Sequence, residues 1–409
     1  MESKELYEHI LGLENPWSVS KVHVDTENGK IVVDVRHPRG VQFYCPDCDQ
    51  SLGCYDHASE REWRHLDSCQ FKTILRASIP RVNCPQHGVK QVRVPWAEAN
   101  SRFTILFEAF AIELLQVTQT VTGAKSVLRI SWDQTWNIIL RAVRRGQRRK
   151  KPVAMPRVGI DEKSFSKGHS YMTLLYDLDN STVEAIAEGK DEDAANACFS
   201  ELSREQVDGI QAIGMDMSSA FVKSAKADIP LAEDKIVHDR FHVMKLANEA
   251  VDKVRRREHR RLKQENDHRL TGTKYLWLKG QENLSEKQAS QFAAVYSQQL
   301  DTSKAWGYKE ILRDVWNHDT PEEATTFFKE WYRSVIHTKL EPMKKVARTI
   351  NKRLPNVVSY CKHEITNAVA EGINSKIQSI KRRVGGYRNK ENFKTAIFFY
   401  CGGLDLLPK

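Results

Sequence analysis

The 409-residue sequence predicts a multidomain α/β protein. Three observations carry that reading. Two Cys/His pairs with the same short spacing lie within the first hundred residues. The hydrophobic period then changes along the chain, between the two of strands and the 3.6 of helices. At roughly 100–200 residues per domain, the length also holds two to four domains. Hydrophobic residues make up 40% and charged residues 28%, which excludes a disordered or collagen-like polymer. No run of 18 apolar residues occurs, so no membrane span is expected. The start, MESKELYEHILGLENPW, lacks a basic segment followed by an apolar one, so no signal peptide is expected.

Residues 1–98 read as β-rich, with Val22 and Val24, then Ile31, Val33 and Val35, alternating at period two. Five of the eight cysteines fall between Cys45 and Cys84. Cys45-Pro-Asp-Cys48 and Cys84-Pro-Gln-His87 share a two-residue gap, which lets both side chains of a knuckle face one tetrahedral ion. Two knuckles supply four N/S ligands and close one structural zinc site. Cys54, Cys69, His57 and His65 compete as ligands. A closed site keeps no open position, so it folds a small DNA-contacting module rather than catalysing.

Residues 99–150 read as a helix-turn-helix. Ala124 to Ile130 forms one helix, Ser131 is the N-cap, and Trp132 to Val143 forms the next. Trp136, Ile139, Leu140 and Val143 give an apolar face. Gln134, Thr135, Asn137 and Arg141 would then face outward to read bases. Seven basic residues and no acidic one lie between positions 141 and 151, with Arg144, Arg145, Arg148 and Arg149 among them.

Residues 151–240 read as strands again. Arg157 to Asp161, Ser170 to Leu178 and Thr182 to Ala187 come first, then a helix from Asp191 to Ser203. Gly209 to Met215, a short helix Ser218 to Lys226, and Lys235 to His238 complete a mixed sheet with crossovers. Residues 241–360 switch to a period of 3.6, an all-helical insertion, with Thr320-Pro321 opening one helix. Trp306, Trp316 and Trp331 read as its core, with stacking on a displaced base as the alternative. Residues 361–409 hold a last helix from His363 to Val384, stopped by Gly385-Gly386.

The net charge is +10 and the pI about 9.1, yet positions 181–240 carry 13 acidic and 6 basic residues. Basic runs at 141–151 and 255–263, then Arg382 and Arg383, flank this acidic segment. Basic patches suit a nucleic-acid backbone, and the acidic pocket suits divalent cations. Asp161 and Asp216 each follow an apolar Gly-containing strand. Glu371 lies on the last helix in a polar stripe with Asn367, Asn374 and Gln378, opposite Ile365, Val369, Ile373, Ile377, Ile380 and Val384. Gly372 suggests a close packing partner there. Three converging carboxylates suit two Mg²⁺ or Mn²⁺ ions roughly 3.5–4 Å apart. Asp239, in His238-Asp-Arg-Phe-His242, is a fourth acid, either a neighbour of that site or a ligand. The His238/His242 spacing is discounted as a metal pair, because it spans a strand-to-helix junction.

Taken together, these motifs resemble the ISL-three family of bacterial insertion-sequence transposases. Trp63-Arg-His-Leu-Asp67, Val94-Pro-Trp-Ala-Glu98, Gly159-Ile-Asp161, Met215-Asp216, His238-Asp-Arg-Phe-His242 and Asn367-Ala-Val-Ala-Glu371-Gly-Ile-Asn-Ser-Lys-Ile-Gln378 carry the resemblance. It implies an RNase H-like catalytic domain whose Asp-Asp-Glu triad is Asp161, Asp216 and Glu371. It also implies binding of terminal inverted repeats, 3′-strand transfer to target DNA, a homodimer, no small-molecule substrate, and a cytoplasmic, nucleoid-associated place in a bacterium. Two other readings remain at this point. One is a zinc-finger and helix-turn-helix regulator. The other is an RNase H-like nuclease that cuts without transposing.

Overall fold

The computed structural model describes residues 3–166, 170–298 and 300–409. Two compact units result, residues 1–150 with 404–409, and residues 151–403. The last six residues, expected with the C-terminal segment, thus belong to the first unit.

In the first unit a four-stranded sheet orders Ser18–Asp25, Lys30–Arg36, Lys72–Ala77 and Arg61–Arg64 side by side. Ile31, Val33 and Val35 are buried, as period two requires, against Trp17, Trp63, Leu75 and Trp96. Val22, opposite Val33, follows the expectation and is partly buried against the same core, whereas Val24, opposite Ile31, faces solvent. Two small hairpins carry the knuckles, Gln42–Tyr44 with Ser51–Gly53 and Pro80–Cys84 with Gly88–Gln91.

Three helices follow, α1 (Ile105–Thr118), α2 (Val121–Leu128) and α3 (Trp132–Arg149). Thr104 caps α1 and Thr120 caps α2, each accepting a backbone N–H. Arg129 ends α2 in a left-handed conformation, and Ser131 opens α3 with a full capping box to Gln134. The turn between α2 and α3 is therefore fixed by local chemistry at both ends.

The second unit is built on strands β1 (Arg157–Ser166), β2 (Ser170–Asp177), β3 (Thr182–Glu188), β4 (Ala212–Met215) and β5 (Ile236–His238). Their order is β3-β2-β1-β4-β5. The β3-β2-β1 pairings are antiparallel, while β4 runs parallel to β1 and β5 parallel to β4. Helices cover both faces, so the strands read as apolar runs. Val158, Ile160, Ile213 and Met215 face α4 (Glu192–Ser200) and α5 (Ser219–Asp228).

The insertion begins with the 25-residue α6 (Arg240–Gln264) and packs its own core around Trp277, Phe328 and Trp331. Trp306, Trp316 and Trp331 are buried there, and each indole N–H donates to a backbone carbonyl. They are core residues, and none presents a ring for a displaced base. On the other sheet face, Leu174, Tyr176 and Val237 pack against α7 (Ala368–Arg383) and α8 (Lys390–Cys401). The expected helix from His363 is broken, because Glu364 adopts a left-handed conformation and a new helix starts at Ala368. Among the described residues no helix is long and apolar enough to cross a membrane.

Candidate active site

Register places the acids. Ile160 pairs with Met215 across β1 and β4, and Met215 pairs with His238 across β4 and β5. The next residue on each chain is an aspartate, Asp161, Asp216 and Asp239. Three aspartates thus follow matched positions along one edge of the sheet. Asp161 was expected at a strand end, but β1 continues to Ser166 in its antiparallel pairing with β2. What ends at Asp161 is the parallel pairing with β4. Since Val158 and Ile160 face α4 and α5, alternation turns Gly159 and Asp161 to the opposite face, which α7 covers.

Two strand glycines let α7 approach. A Cβ on Gly159 would lie 3.1 Å from Asn367 Oδ1 and 2.9 Å from Leu178, and one on Gly214 would lie 3.3 Å from the same Asn367 oxygen. Gly372, expected to mark a close contact, meets nothing within 4 Å. The polar stripe also divides. Asn367 and Asn374 are buried against the sheet rather than turned to solvent, and Glu371 is exposed. Glu371 sits in the first turn of α7 and its N–H donates to Asn367 O at 2.8 Å.

Each aspartate turns one oxygen to local backbone. Asp161 Oδ1 accepts from Glu162 N at 2.8 Å, Asp216 Oδ1 from Ser218 N at 2.8 Å and Asp239 Oδ1 from Phe241 N at 3.0 Å. Asp239 is 9% exposed, and its Oδ2 is buried without a partner. Burial is the main reason the Asp161 carboxyl is pushed up to about 6, with the Asp216 charge adding and the Glu162 N–H and His242 opposing. Burial also raises Glu162, Asp239 and Glu371, and the Asp239 charge adds to the rise of Glu371. Crowded acids with raised affinity for protons are suited to a cation in the proton's place. An orphaned carboxylate oxygen points the same way. Glu162 belongs to this neighbourhood and was not singled out from sequence, while Asn374 was named only as part of the polar stripe and His242 only in a metal pair that was discounted.

Sign matters for pH. Between the ordinary value of 3.8 and about 6, folded protein keeps a proton on Asp161 that the unfolded chain has released. Ion-free stability from this group therefore falls as pH rises through that window. An ion bound through Asp161 would have to expel the same proton, so its affinity, read with Mn²⁺, is expected to weaken about tenfold per unit below pH 6. Calorimetric titration at pH 5 and 7 checks it, and equal affinities would remove Asp161 from any ion site.

The cysteine cluster resolves the competing ligands. Cys45, Cys48, Cys84 and His87 bring their ligand atoms within 4.8 Å of one another. Cys48 Sγ and Cys84 Sγ are 3.7 Å apart, and His87 Nδ1 is 3.5 Å from Cys84 Sγ. A tetrahedron with bonds of about 2.3 Å has edges of about 3.8 Å. Asp49 and Gly88, both at positive φ, make the knuckle turns. His65 is instead buried against Thr104 Oγ1, and Cys54 Sγ lies beside the His57 ring. Cys69 is exposed.

On α3 the outward set differs from expectation. Asn137, Arg144 and Arg148 are exposed. Thr135 is 0% exposed and donates to Ser131 O, and Gln134 spends its Oε1 on the Ser131 N–H. Arg145 is 7% exposed, because it pairs with Glu98 and Glu108 and donates to Leu406 O. Arg141 also pairs with Glu108 at 2.6 Å, and Arg149 donates to Leu407 O at 2.6 Å. Three of the five arginines in the run thus staple the unit together. Asn100 and Arg102 join Gln134, Asn137 and Arg144 around one surface cleft. Arg382 and Arg383 are exposed at the end of α7.

Comparison with known proteins supplies the family. A zinc-finger model of transposases IS204/IS1001/IS1096/IS1165 matches residues 42–87. A helix-turn-helix model of transposase family ISL3 matches residues 92–143, and an ISL3 transposase model matches residues 158–397, more than half of the chain. The transposase for insertion sequence element IS1001 of Bordetella parapertussis is 24% identical over 397 residues, covering 96% of this chain and 97% of that protein. The transposase for insertion sequence element IS1557 of Mycobacterium tuberculosis is 26% identical over 420 residues, covering 96% of this chain and 94% of that protein. From the zinc-finger segment through α8, the chain belongs to the ISL3 family of transposases.

Proposed function

We propose that this protein binds the terminal inverted repeats of an insertion sequence, cleaves the ends and transfers the 3′-hydroxyl strands to target DNA. The observation that carries the reading is the row of Asp161, Asp216 and Asp239 beneath the helix bearing Glu371. The strand order, three antiparallel strands continued by two parallel ones, supports an RNase H-like catalytic domain. Asp161, Asp216 and Glu371 would hold two Mg²⁺ or Mn²⁺ ions, with Asp239 beside them. Such ions activate a water or a 3′-hydroxyl and stabilise the leaving oxygen. The chain's own contribution is position. The Glu162, Ser218 and Phe241 N–H groups fix the three carboxylates, and the strand glycines set how close α7 comes.

Cys45, Cys48, Cys84 and His87 would hold one structural zinc. The exposed face of α3, through Asn137, Arg144 and Arg148, would meet the repeats, with Gln134 at its edge. Arg141, Arg145 and Arg149 act within the protein rather than on DNA. Arg144→Ala and Arg148→Ala are each expected to lower the salt slope of repeat binding by about one. Fluorescence anisotropy across a salt series reads it, and an unchanged slope takes that arginine off the phosphates. Joining two ends in one reaction favours a homodimer working at the bacterial nucleoid.

The test places the gene beside its native flanking DNA on a plasmid. Excision and rejoining are scored for wild type and Glu371→Gln. Movement by wild type alone is expected. Movement by both would take Glu371 out of the site. Retained binding to the flanks without movement in either would favour a regulator, and cutting without rejoining a nuclease.

A further inference from the structure

We infer that Asn374 is a positioning residue that clamps Asp161 from the Glu371 helix, with the Tyr176 hydroxyl setting its direction. The inference rests on the reading of Asp161 as an ion ligand. Asn374 Nδ2 donates to Asp161 Oδ2 at 2.7 Å, and Asn374 Oδ1 accepts from the Tyr176 hydroxyl at 3.0 Å. Asn374 is 7% exposed and Tyr176 0%. The chain of bonds runs from β2, through α7, to β1.

The chemistry of the three groups decides the direction. An ionised carboxylate only accepts, so the Asn374 NH₂ must face Asp161. That leaves the amide oxygen for Tyr176, whose hydroxyl then has to donate. A flipped amide would set two acceptors against each other beside a buried charge. Asp161 is also held at its other oxygen by the Glu162 N–H. Both oxygens are therefore tied, and the carboxylate plane cannot rotate. Each oxygen still has one lone pair free for an ion. Among the described residues, Asp216 and Asp239 are bonded at one oxygen only.

Asn374 lies three residues after Glu371 on the same helix, so the two side chains are neighbours one turn apart, Asn374 turned to the sheet and Glu371 at its rim. The bond to Asp161 thus sets the helix against β1 and, with it, where Glu371 stands relative to the aspartates. At a position needed only for packing, leucine, with the same branching and no polar atoms to satisfy, would serve as well as a carboxamide. Partners that orient an ion's ligands commonly change its affinity 10–100-fold.

The test titrates Mn²⁺ alone into the full-length protein by calorimetry, for wild type, Asn374→Leu, Tyr176→Phe and Glu371→Gln. Cleavage of terminal-repeat DNA is followed against Mg²⁺ concentration in parallel. Asn374→Leu is expected to bind Mn²⁺ at least about tenfold more weakly, with cleavage partly restored by excess Mg²⁺. Its ion-free melting temperature should also fall, because the buried Tyr176 hydroxyl and Asp161 Oδ2 both lose their partner, so Mn²⁺ affinity is the readout that decides. Tyr176→Phe keeps the ring and loses the hydroxyl, so a smaller weakening, about threefold, is expected. It also carries the test if Asn374→Leu does not fold. A purely structural role predicts the lower melting temperature with unchanged Mn²⁺ affinity, and would overturn the clamp. Loss of Mn²⁺ binding in Glu371→Gln beside an unaffected Asn374→Leu overturns the clamp alone. A wild type that takes up no Mn²⁺ overturns both the clamp and the ion site.

Discussion

Asp161→Asn and Asp216→Asn proteins are expected to bind repeat DNA as wild type does and to cut it at least about 10³-fold more slowly. The substitution is near-isosteric, and each aspartate's Oδ1 bond to backbone N–H can be kept by the amide oxygen. What is lost is negative charge where ions would sit. Phosphoryl transfer is governed by position and charge, so loss of one charged partner acts on the rate of the chemical step. Burial makes the Asp161 case sharper. The carboxyl is already pushed up to about 6, so above that pH Asp161→Asn removes a buried charge, and ion-free stability is expected to match or exceed wild type once the Asn374 amide turns its oxygen to the new NH₂ and its own NH₂ to the Tyr176 hydroxyl. A drop in cutting together with a raised melting temperature would separate a chemical role from a structural one. Equal cutting by Asp216→Asn would remove Asp216 from the centre. Gel assays on end-labelled repeat DNA measure the rate, and calorimetry the stability.

Much of this site was legible because the signals are local. An apolar strand with a glycine followed by Asp, found twice, pointed to Asp161 and Asp216. The two-residue knuckle gaps pointed to three of the eight cysteines, Cys45, Cys48 and Cys84, with His87, and the structure brings these four together. Ser131 was readable as a cap because its partner sits three residues away. Errors came where a partner is distant in sequence. Arg145 looked like a DNA contact, but it meets Glu98 and Glu108, 47 and 37 residues upstream. Charge alone does not say whether an arginine is already paired. Asn374 was read only as part of a polar stripe with Glu371, because its partners Asp161 and Tyr176 lie about 200 residues earlier. Gly372 was misread for a related reason. The glycines that α7 needs are Gly159 and Gly214 in the sheet it covers.

Removing the zinc-site ion is expected to have the other large effect, through folding rather than chemistry. The knuckles join strands of only three to five residues, too short to hold a hairpin in water unaided. Phe43, Val82, Cys45 and Cys84 do reach the core of the first unit. The four-stranded sheet around Trp63 and Leu75 therefore has support of its own, and melting should be local, spanning about residues 42–53 and 80–91. Free energies of about 10–16 kcal/mol for ion binding in small zinc modules are far above what these hairpins could replace. Cys84→Ser is expected to lose the ion, open both hairpins to protease and weaken repeat binding at least about tenfold. Cys54→Ser and Cys69→Ser should keep one zinc per chain, because neither thiol reaches the cluster. Zinc content by mass spectrometry, with limited proteolysis of the same samples, gives the answer. Zinc lost from Cys54→Ser but kept in Cys84→Ser would mean that Cys54 and its neighbour His57, and not the two knuckles, hold the ion.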